Sequence, residues 1–499
     1  MVTRKHSPVH PSSHSIADAV AGTLGLSGER MSKVDRAWLR MDSPHNLMMI
    51  VGVWIIKPGI PYAALAARLQ QRMTKYPRFV QCVVEGAAGA TWVQDAAFDI
   101  AHHLVLEKLP RTRKLDPQQA LQQRLAELCL LPLDRQHPLW QFHLVEHYKG
   151  GSVLIVRIHH CIADGMALIS VIQSLVDGGS PPPPGLERPH GIEEWLGQAL
   201  LKPLTQFAVK TLEAAGEGVA RSLHLLQDGS EEKGIAGSVD VAKTAYQVVS
   251  DLAALALMPD DSATGLKGQP GHHKRVSWCR PLPLVEVKAV GRALNCSIND
   301  VLLSCVAGAI GAYLRAEGES IEGKRIRAMV PVNLRPPEQV YTLGNQFGLA
   351  PLVLPIGLEN PVERVYAVRQ GMDELKSSMQ PLLTFALLAV AGLLVKPAQD
   401  AMLSLFSRKT TAVMTNVPGP LTKLKLCGST IEEALFWVPQ SGSVGLGVSI
   451  LSYGGGVQFG VLSDATLCPD PQKIIDQFEP EFAKLSLLTL MLPWGRDPG

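Results

Sequence analysis

The stretch SVLIVRIHHCIADGMALISVIQSLV (152–176) decides how the chain is read. An apolar run, Val153 to Ile158, interrupted by Arg157, leads into His159 and His160. A short turn then crosses Asp164–Gly165, and an apolar helix is predicted from Gly165 to Val176. Successive strand side chains point to opposite faces, so only one of the adjacent histidines faces any given pocket, and Cys161 turns away from the face of His160. Asp164 is placed to cap the helix or fix the turn, and Gly165 is expected to relieve backbone crowding there. At this chain's composition the pattern HHxxxDG arises by chance about 0.002 times. It is therefore a signal, whereas the pairs His102–His103 and His272–His273 lack a following Asp–Gly and read as structural or solvent-facing.

Outward from this stretch, strands and helices alternate, as in a layered α/β fold. Upstream, Leu47–Ile56 reads as a buried strand, 61–75 as a helix, 79–85 and 90–94 as a strand pair, 117–130 as a helix and 141–147 as a strand. Residues 31–177 are assigned to a first domain, preceded by a basic, Ser-rich tail over 1–30 that lacks a secretory h-region. Four consecutive prolines in DGGSPPPPGLERPHG (177–191) end it, and apolar residues at spacings of three and four make 178–272 a helical crossover. A second domain is expected over 273–499, with helices at 284–294 and 296–316. Its strands are expected at 325–335, 347–356 and 409–420, with a hairpin at 443–465 and a last helix near 470–485. Helix 296–316 is expected to be capped near Ser297 or Asn299.

Composition narrows the function. Lys plus Arg is 47 and Asp plus Glu 45, a net charge of +2, which argues against a nucleic-acid binder that works by neutralising phosphates. Charged residues make up 18% against a usual share of about 25%, and 46% are hydrophobic, so a large core is available. A mean hydropathy of +0.12 leaves room for contact with lipid. The eight cysteines form no C-x-x-C pair and read as reduced thiols of a cytoplasmic protein, with no metal site expected. No 18-residue run that is both uncharged and apolar throughout is present, so no membrane span is expected. LLTFALLAVAGLLV (382–395) holds 14 residues without a charge, and it reads equally as a buried core helix or as a helix lying on a lipid surface. LSLLTLMLPWG (485–495) is a second candidate for lipid contact.

HHCIADG (159–165) resembles the active-site motif of CoA-dependent acyltransferases. MSKVDRAWLRMDSPHNLMMI (31–50), PLWQFHLVE (138–146), INDVLLSCVAGAIGAYL (298–314), MVPVNLR (329–335), LGNQFG (343–348) and TNVPGP (415–420) narrow the resemblance. Together they resemble the bacterial wax ester synthase/diacylglycerol acyltransferase family. The resemblance implies two chloramphenicol-acetyltransferase-like α/β domains with mixed sheets and flanking helices, joined by the helical crossover, and a tunnel between them. It implies that His160 is the general base, that His159 is structural, and that Asp164 orients the loop. Asn299 and Asp300 match the family's ND motif, which supports the site from the second domain, and Pro138, Leu139 and Trp140 match its PLW motif, which shapes the channel. For Trp140, ordinary packing remains an equal alternative.

The chemistry implied is transfer of a long-chain acyl group from acyl-CoA, the co-substrate, to a fatty alcohol or diacylglycerol, with no resident cofactor and no acyl-enzyme. A neutral imidazole takes the hydroxyl proton as its oxygen attacks the thioester. Asn299 or a hydroxyl of SGSVGLGVSILS (441–452) is a candidate donor to the oxyanion. Peripheral association with a membrane or lipid inclusion is expected, because the products are insoluble in water. Two rivals stand beside this reading: a condensation-type acyltransferase using a carrier-bound donor, and a lipid-binding protein that has lost turnover.

Overall fold

The computed structural model describes residues 28–86, 89–110, 115–180, 182, 258–336, 339 and 342–491. Most of the expected crossover, 183–257, lies outside the described residues. The first half runs β1 (Gly28–Arg30), α1 (Lys33–Arg40), β2 (Met49–Lys57), α2 (Tyr62–Met73), β3 (Gln81–Gly86), β4 (Gly89–Gln94), α3 (Ile100–His103) and β5 (Leu104–Glu107). It continues through α4 (Pro117–Leu128), β6 (Trp140–Tyr148), β7 (Gly151–His159) and α5 (Gly165–Leu175). The second half opens with β8 (Lys274–Trp278), β9 (Leu282–Pro283), α6 (Leu284–Ala293), α7 (Ile298–Ala316), β10 (Ile326–Asn333) and β11 (Phe347–Leu354). Three helices follow, α8 (Pro361–Ser377), α9 (Gln380–Ala391) and α10 (Lys396–Arg408). The chain ends with β12 (Ala412–Pro418), β13 (Lys425–Leu426), β14 (Ser429–Trp437), β15 (Leu446–Tyr453), β16 (Gly456–Asp464) and α11 (Gln472–Leu490).

β2 and β7 pair antiparallel, Met49 opposite His159, at the centre of a six-stranded mixed sheet ordered β13-β14-β2-β7-β6-β5. Both strands are buried on both faces, which is why they read as continuous apolar runs. Ile50, Trp54 and Ile56 face a core shared with α1, α2, α5 and α9, while Val51, Val53 and Ile55 face Leu121 and Leu125 of α4 and Trp278 of β8. The second sheet has seven strands, ordered β11-β10-β12-β15-β16-β8 with β9 also on β16, and mixes parallel and antiparallel pairs. α7 forms the centre of its helical layer, where Gly308 and Gly311 permit close approach: a Cβ at Gly311 would lie 2.4 Å from the Ile356 carbonyl. By length and composition α7 is apolar enough to cross a membrane, yet it is packed into this core with 78% of its apolar window buried.

Two expectations change, and one alternative left open is resolved. The expected tail ends earlier, since Gly28–Arg30 forms a strand that pairs with Thr91–Val93 of β4. The second domain is not one continuous stretch of chain: β14 leaves it and pairs with β2, Thr430 opposite Lys57 and Trp437 opposite Val51, with a bulge between Ile431 and Glu433. The first sheet needs that strand because β2 would otherwise present an unpaired edge. The 382–395 run, open between core and lipid surface in the sequence, divides: Leu383, Phe385, Ala386 and Leu388 of α9 are buried against α1 and β11, while Leu393 and Val395 beyond the helix are exposed.

Candidate active site

His160 follows the last residue of β7, and its backbone N–H donates to the Met48 carbonyl at 2.7 Å. Its ring is 3% exposed and stacks on Trp38 of α1 at 4.2 Å between centroids and 14° between planes, with Phe347 of β11 at 5.4 Å. Nδ1 lies 2.8 Å from Asn345 Oδ1. Nε2 makes no hydrogen bond among the described residues. Burial holds the imidazole well below the ordinary histidine value, at about 4, against the opposing pull of the Asp164 carboxylate. The ring is therefore neutral near pH 7.

His159 faces a different set of partners, as strand alternation requires. Its Nδ1 accepts from the Cys161 N–H at 3.1 Å, and Nε2 lies 3.3 Å from Asp42 Oδ1. Both ring nitrogens are thus engaged, and this histidine holds the turn. The PLW segment acts on the same residue through backbone: the Leu139 carbonyl accepts from the His159 N–H at 2.9 Å. Trp140 is 1% exposed, donates from Nε1 to the Phe79 carbonyl at 2.9 Å and stacks on His103 at 4.3 Å. Pro138, Leu139 and Trp140 are all buried, and the Trp140 ring packs against Phe79, His103 and Phe142.

Asp164 is the N-cap of α5, accepting from the Ala167 N–H at 2.9 Å through Oδ1. Its Oδ2 accepts from Arg335 Nη2 at 2.7 Å and from the Gln346 N–H at 2.8 Å. Every described partner of the carboxylate is structural, and two of them come from the second half of the chain. Gly165 does not relieve crowding: a Cβ there would meet nothing within 4 Å. The glycine leaves open space at the start of α5.

Asn299 and Asp300 open α7. Asp300 shares a capping box with Ser297, one of the two expected caps, at 2.8 and 3.2 Å. Asn299 is exposed, accepts from Asn416 Nδ2 at 2.9 Å and lines a cleft of about 580 Å³. Leu303, Val332, Met372, Leu382 and Met414 make that cleft largely apolar, and Asn333 adds a further polar group. His160 is not among its lining residues. The two are linked at one remove: Asn333 pairs across the sheet with Phe347, whose ring packs against His160. The imidazole is more enclosed than the resemblance implied.

Four residues of the site went unassigned in the sequence: Trp38, Asp35, Arg335 and Asn345. All lie in motif stretches quoted above, so the segments were visible while the roles were not. Asp35, 0% exposed, accepts from both the backbone and side-chain nitrogens of Asn345, at 3.1 and 2.8 Å, and pairs with Arg78 at 2.8 Å.

Comparison with known proteins identifies the family and the fold. A family profile described as the wax ester synthase/diacylglycerol acyltransferase catalytic domain matches residues 31–302, and the WS/DGAT C-terminal domain matches 343–486. A probable diacylglycerol O-acyltransferase of Mycobacterium tuberculosis is 25% identical over 470 residues, covering 91% of this chain and 95% of the relative. A putative diacylglycerol O-acyltransferase of the same organism is 26% identical over 485 residues, covering 92% and 99%. Among solved structures, the wax ester synthase/diacylglycerol acyltransferase of Marinobacter aquaeolei VT8 superposes with a TM-score of 0.63 at 21% identity, covering 93% of this chain and 100% of that one. The starter condensation domain of rhizomide synthetase shares the fold at a TM-score of 0.55 and 16% identity, covering 96% and 97%. With the motif turn built as described and both profiles matched in order, the chain belongs to the wax ester synthase/diacylglycerol acyltransferase family and is an acyltransferase.

Proposed function

We propose that the protein transfers a long-chain acyl group from acyl-CoA to the hydroxyl of a fatty alcohol or a diacylglycerol, with His160 Nε2 as general base. The observation that carries the reading is a neutral, buried imidazole with one ring nitrogen held and the other unengaged. The alcohol oxygen attacks the thioester carbonyl while Nε2 takes its proton. The tetrahedral oxyanion collapses, the C–S bond breaks, and the imidazolium returns the proton to the departing CoA sulfur. An imidazole this weakly basic at rest gains basicity as negative charge develops beside it. No acyl-enzyme is required, and acyl-CoA serves as co-substrate without a resident cofactor.

The apolar cleft beside Asn299 is of a size and lining that suit a hydrocarbon chain. Exposed Leu487, Leu490 and Met491, at the end of α11, suit a cytoplasmic protein that docks on a lipid surface, testable by co-flotation with phospholipid vesicles. The decisive assay is CoA release from palmitoyl-CoA, alone and with hexadecanol or dipalmitoylglycerol. Release only with an acceptor supports the reading, and His160→Ala should lower it by roughly 10²–10⁴-fold with an unchanged circular-dichroism spectrum. No release with any acceptor would leave a lipid-binding protein instead.

A further inference from the structure

We infer that Asn345 is a positioning residue that fixes which nitrogen of His160 carries the proton. The inference rests on the reading of His160 as the base and adds the group that prepares it. The argument is one of donors and acceptors. Asn345 Nδ2 lies 2.8 Å from Asp35 Oδ1 and 2.7 Å from the His160 carbonyl oxygen. A backbone carbonyl only accepts, and an ionised carboxylate only accepts. Asp35 is held as a carboxylate by Arg78, whose guanidinium donates to Oδ2 at 2.8 Å and sits over Trp92 at 4.8 Å. The amide nitrogen of Asn345 therefore has to face these two oxygens.

That orientation leaves Asn345 Oδ1 facing His160 Nδ1 at 2.8 Å. An amide oxygen only accepts, so Nδ1 must bring the hydrogen. A neutral imidazole carries one N–H, and with it on Nδ1 the lone pair is on Nε2. Trp38, stacked on one face of the ring, holds its plane. The order Arg78, Asp35, Asn345, His160 thus converts a buried ion pair into a choice of tautomer. Asn345 also joins the halves of the chain, since it reaches Asp35 310 residues away and His160 185 residues away.

The test separates this role from a merely structural one. In the full chain labelled with ¹⁵N-histidine, long-range ¹⁵N–¹H correlation reports the protonation of each ring nitrogen, and the His160 signals are those lost in His160→Gln. The wild type should show Nδ1 protonated and Nε2 bare at neutral pH. Asn345→Ala should raise the population of the Nε2–H form and lower kcat at least about tenfold, and by no more than the roughly 10²–10⁴ that a placed base supplies, with KM inside about twofold. A wild-type His160 protonated at Nε2 would overturn the inference, and that measurement needs no variant to fold. So would an Asn345→Ala protein with wild-type tautomer and wild-type kcat. An active His160→Ala would instead remove the base assignment and leave the tautomer result untouched.

Discussion

Two helices of this molecule begin at motif turns, and each is capped by a carboxylate-bearing turn, yet the two are anchored in opposite ways. At α5, Asp164 caps through one oxygen and with the other binds Arg335 and the Gln346 N–H from the second half of the chain. At α7, Asp300 spends Oδ2 on its own cap, and its Oδ1 has no partner among the described residues. The first turn is tied across the molecule, and the second closes on itself. The difference locates rigidity: the turn that carries His160 is held from both halves, whereas the turn that carries Asn299 faces a cleft.

The largest effect should come from cutting the cross-tie. Asp164→Ala leaves the Arg335 guanidinium, 6% exposed, without its carboxylate, and breaking one side of such a buried pair costs about 3–5 kcal/mol. Asp164→Asn keeps an equally good cap and should recover only the part due to the helix end. Urea unfolding of the pair measures the difference. A cost for Asp164→Ala no larger than that of Asp300→Ala would erase the contrast between the turns.

The enclosure of the His160 turn also sets a pH dependence. The folded imidazole lies near 4, below its ordinary value of 6.5, because burial disfavours the cation. As the proposed base, this imidazole is neutral down to that pH, so the acid limb of kcat/KM should fall near 4. Between 6.5 and 4 the unfolded chain binds a proton that the folded chain does not. This histidine's contribution to stability is therefore complete above the upper value and lost as pH falls through the window. An acid limb near the ordinary histidine value would mean a solvated ring.

How much of this was legible in the sequence follows from the range of the interactions. β2, β7 and α5 were readable because burial writes a local apolar run, and the start of α7 was readable to within Ser297 or Asn299 because a cap acts only three residues away. The destination of β14 was not: the pattern of STIEEALFW does not say which sheet takes it, and the choice is made by the open edge of β2. The uncharged run in α9 was equally ambiguous, since lipid and protein core reward the same residues. Within the site, His160 and Asp164 stood out by spacing. Asn345, Asp35 and Arg335 act on them across distances in sequence that carry no local signature.

Capping loss alone should be modest. Asp300→Ala removes a reciprocal cap at the start of α7, worth about 1 kcal/mol, while relieving a buried oxygen that has no described partner. A thermal shift well below that of Asp164→Ala is the expected result.

The smallest effect on stability, within about 0.5 kcal/mol, belongs to Asn299→Ala, because the side chain is exposed and its described hydrogen bond is to Asn416 at the cleft wall. Its effect on turnover is the more informative measurement. An oxyanion donor of the reaction, when removed, costs about 10²–10³ in kcat. Asn299 lines a cleft that His160 does not, so the expectation is a raised KM for the long-chain substrate with kcat within about threefold, the mark of lost binding shared by ground and transition states. A hundredfold loss of kcat with KM unchanged would bring Asn299 to the reacting carbonyl. It would also mean that the two turns, anchored so differently at rest, meet over the substrate, with the cleft-facing turn moving toward the tied one.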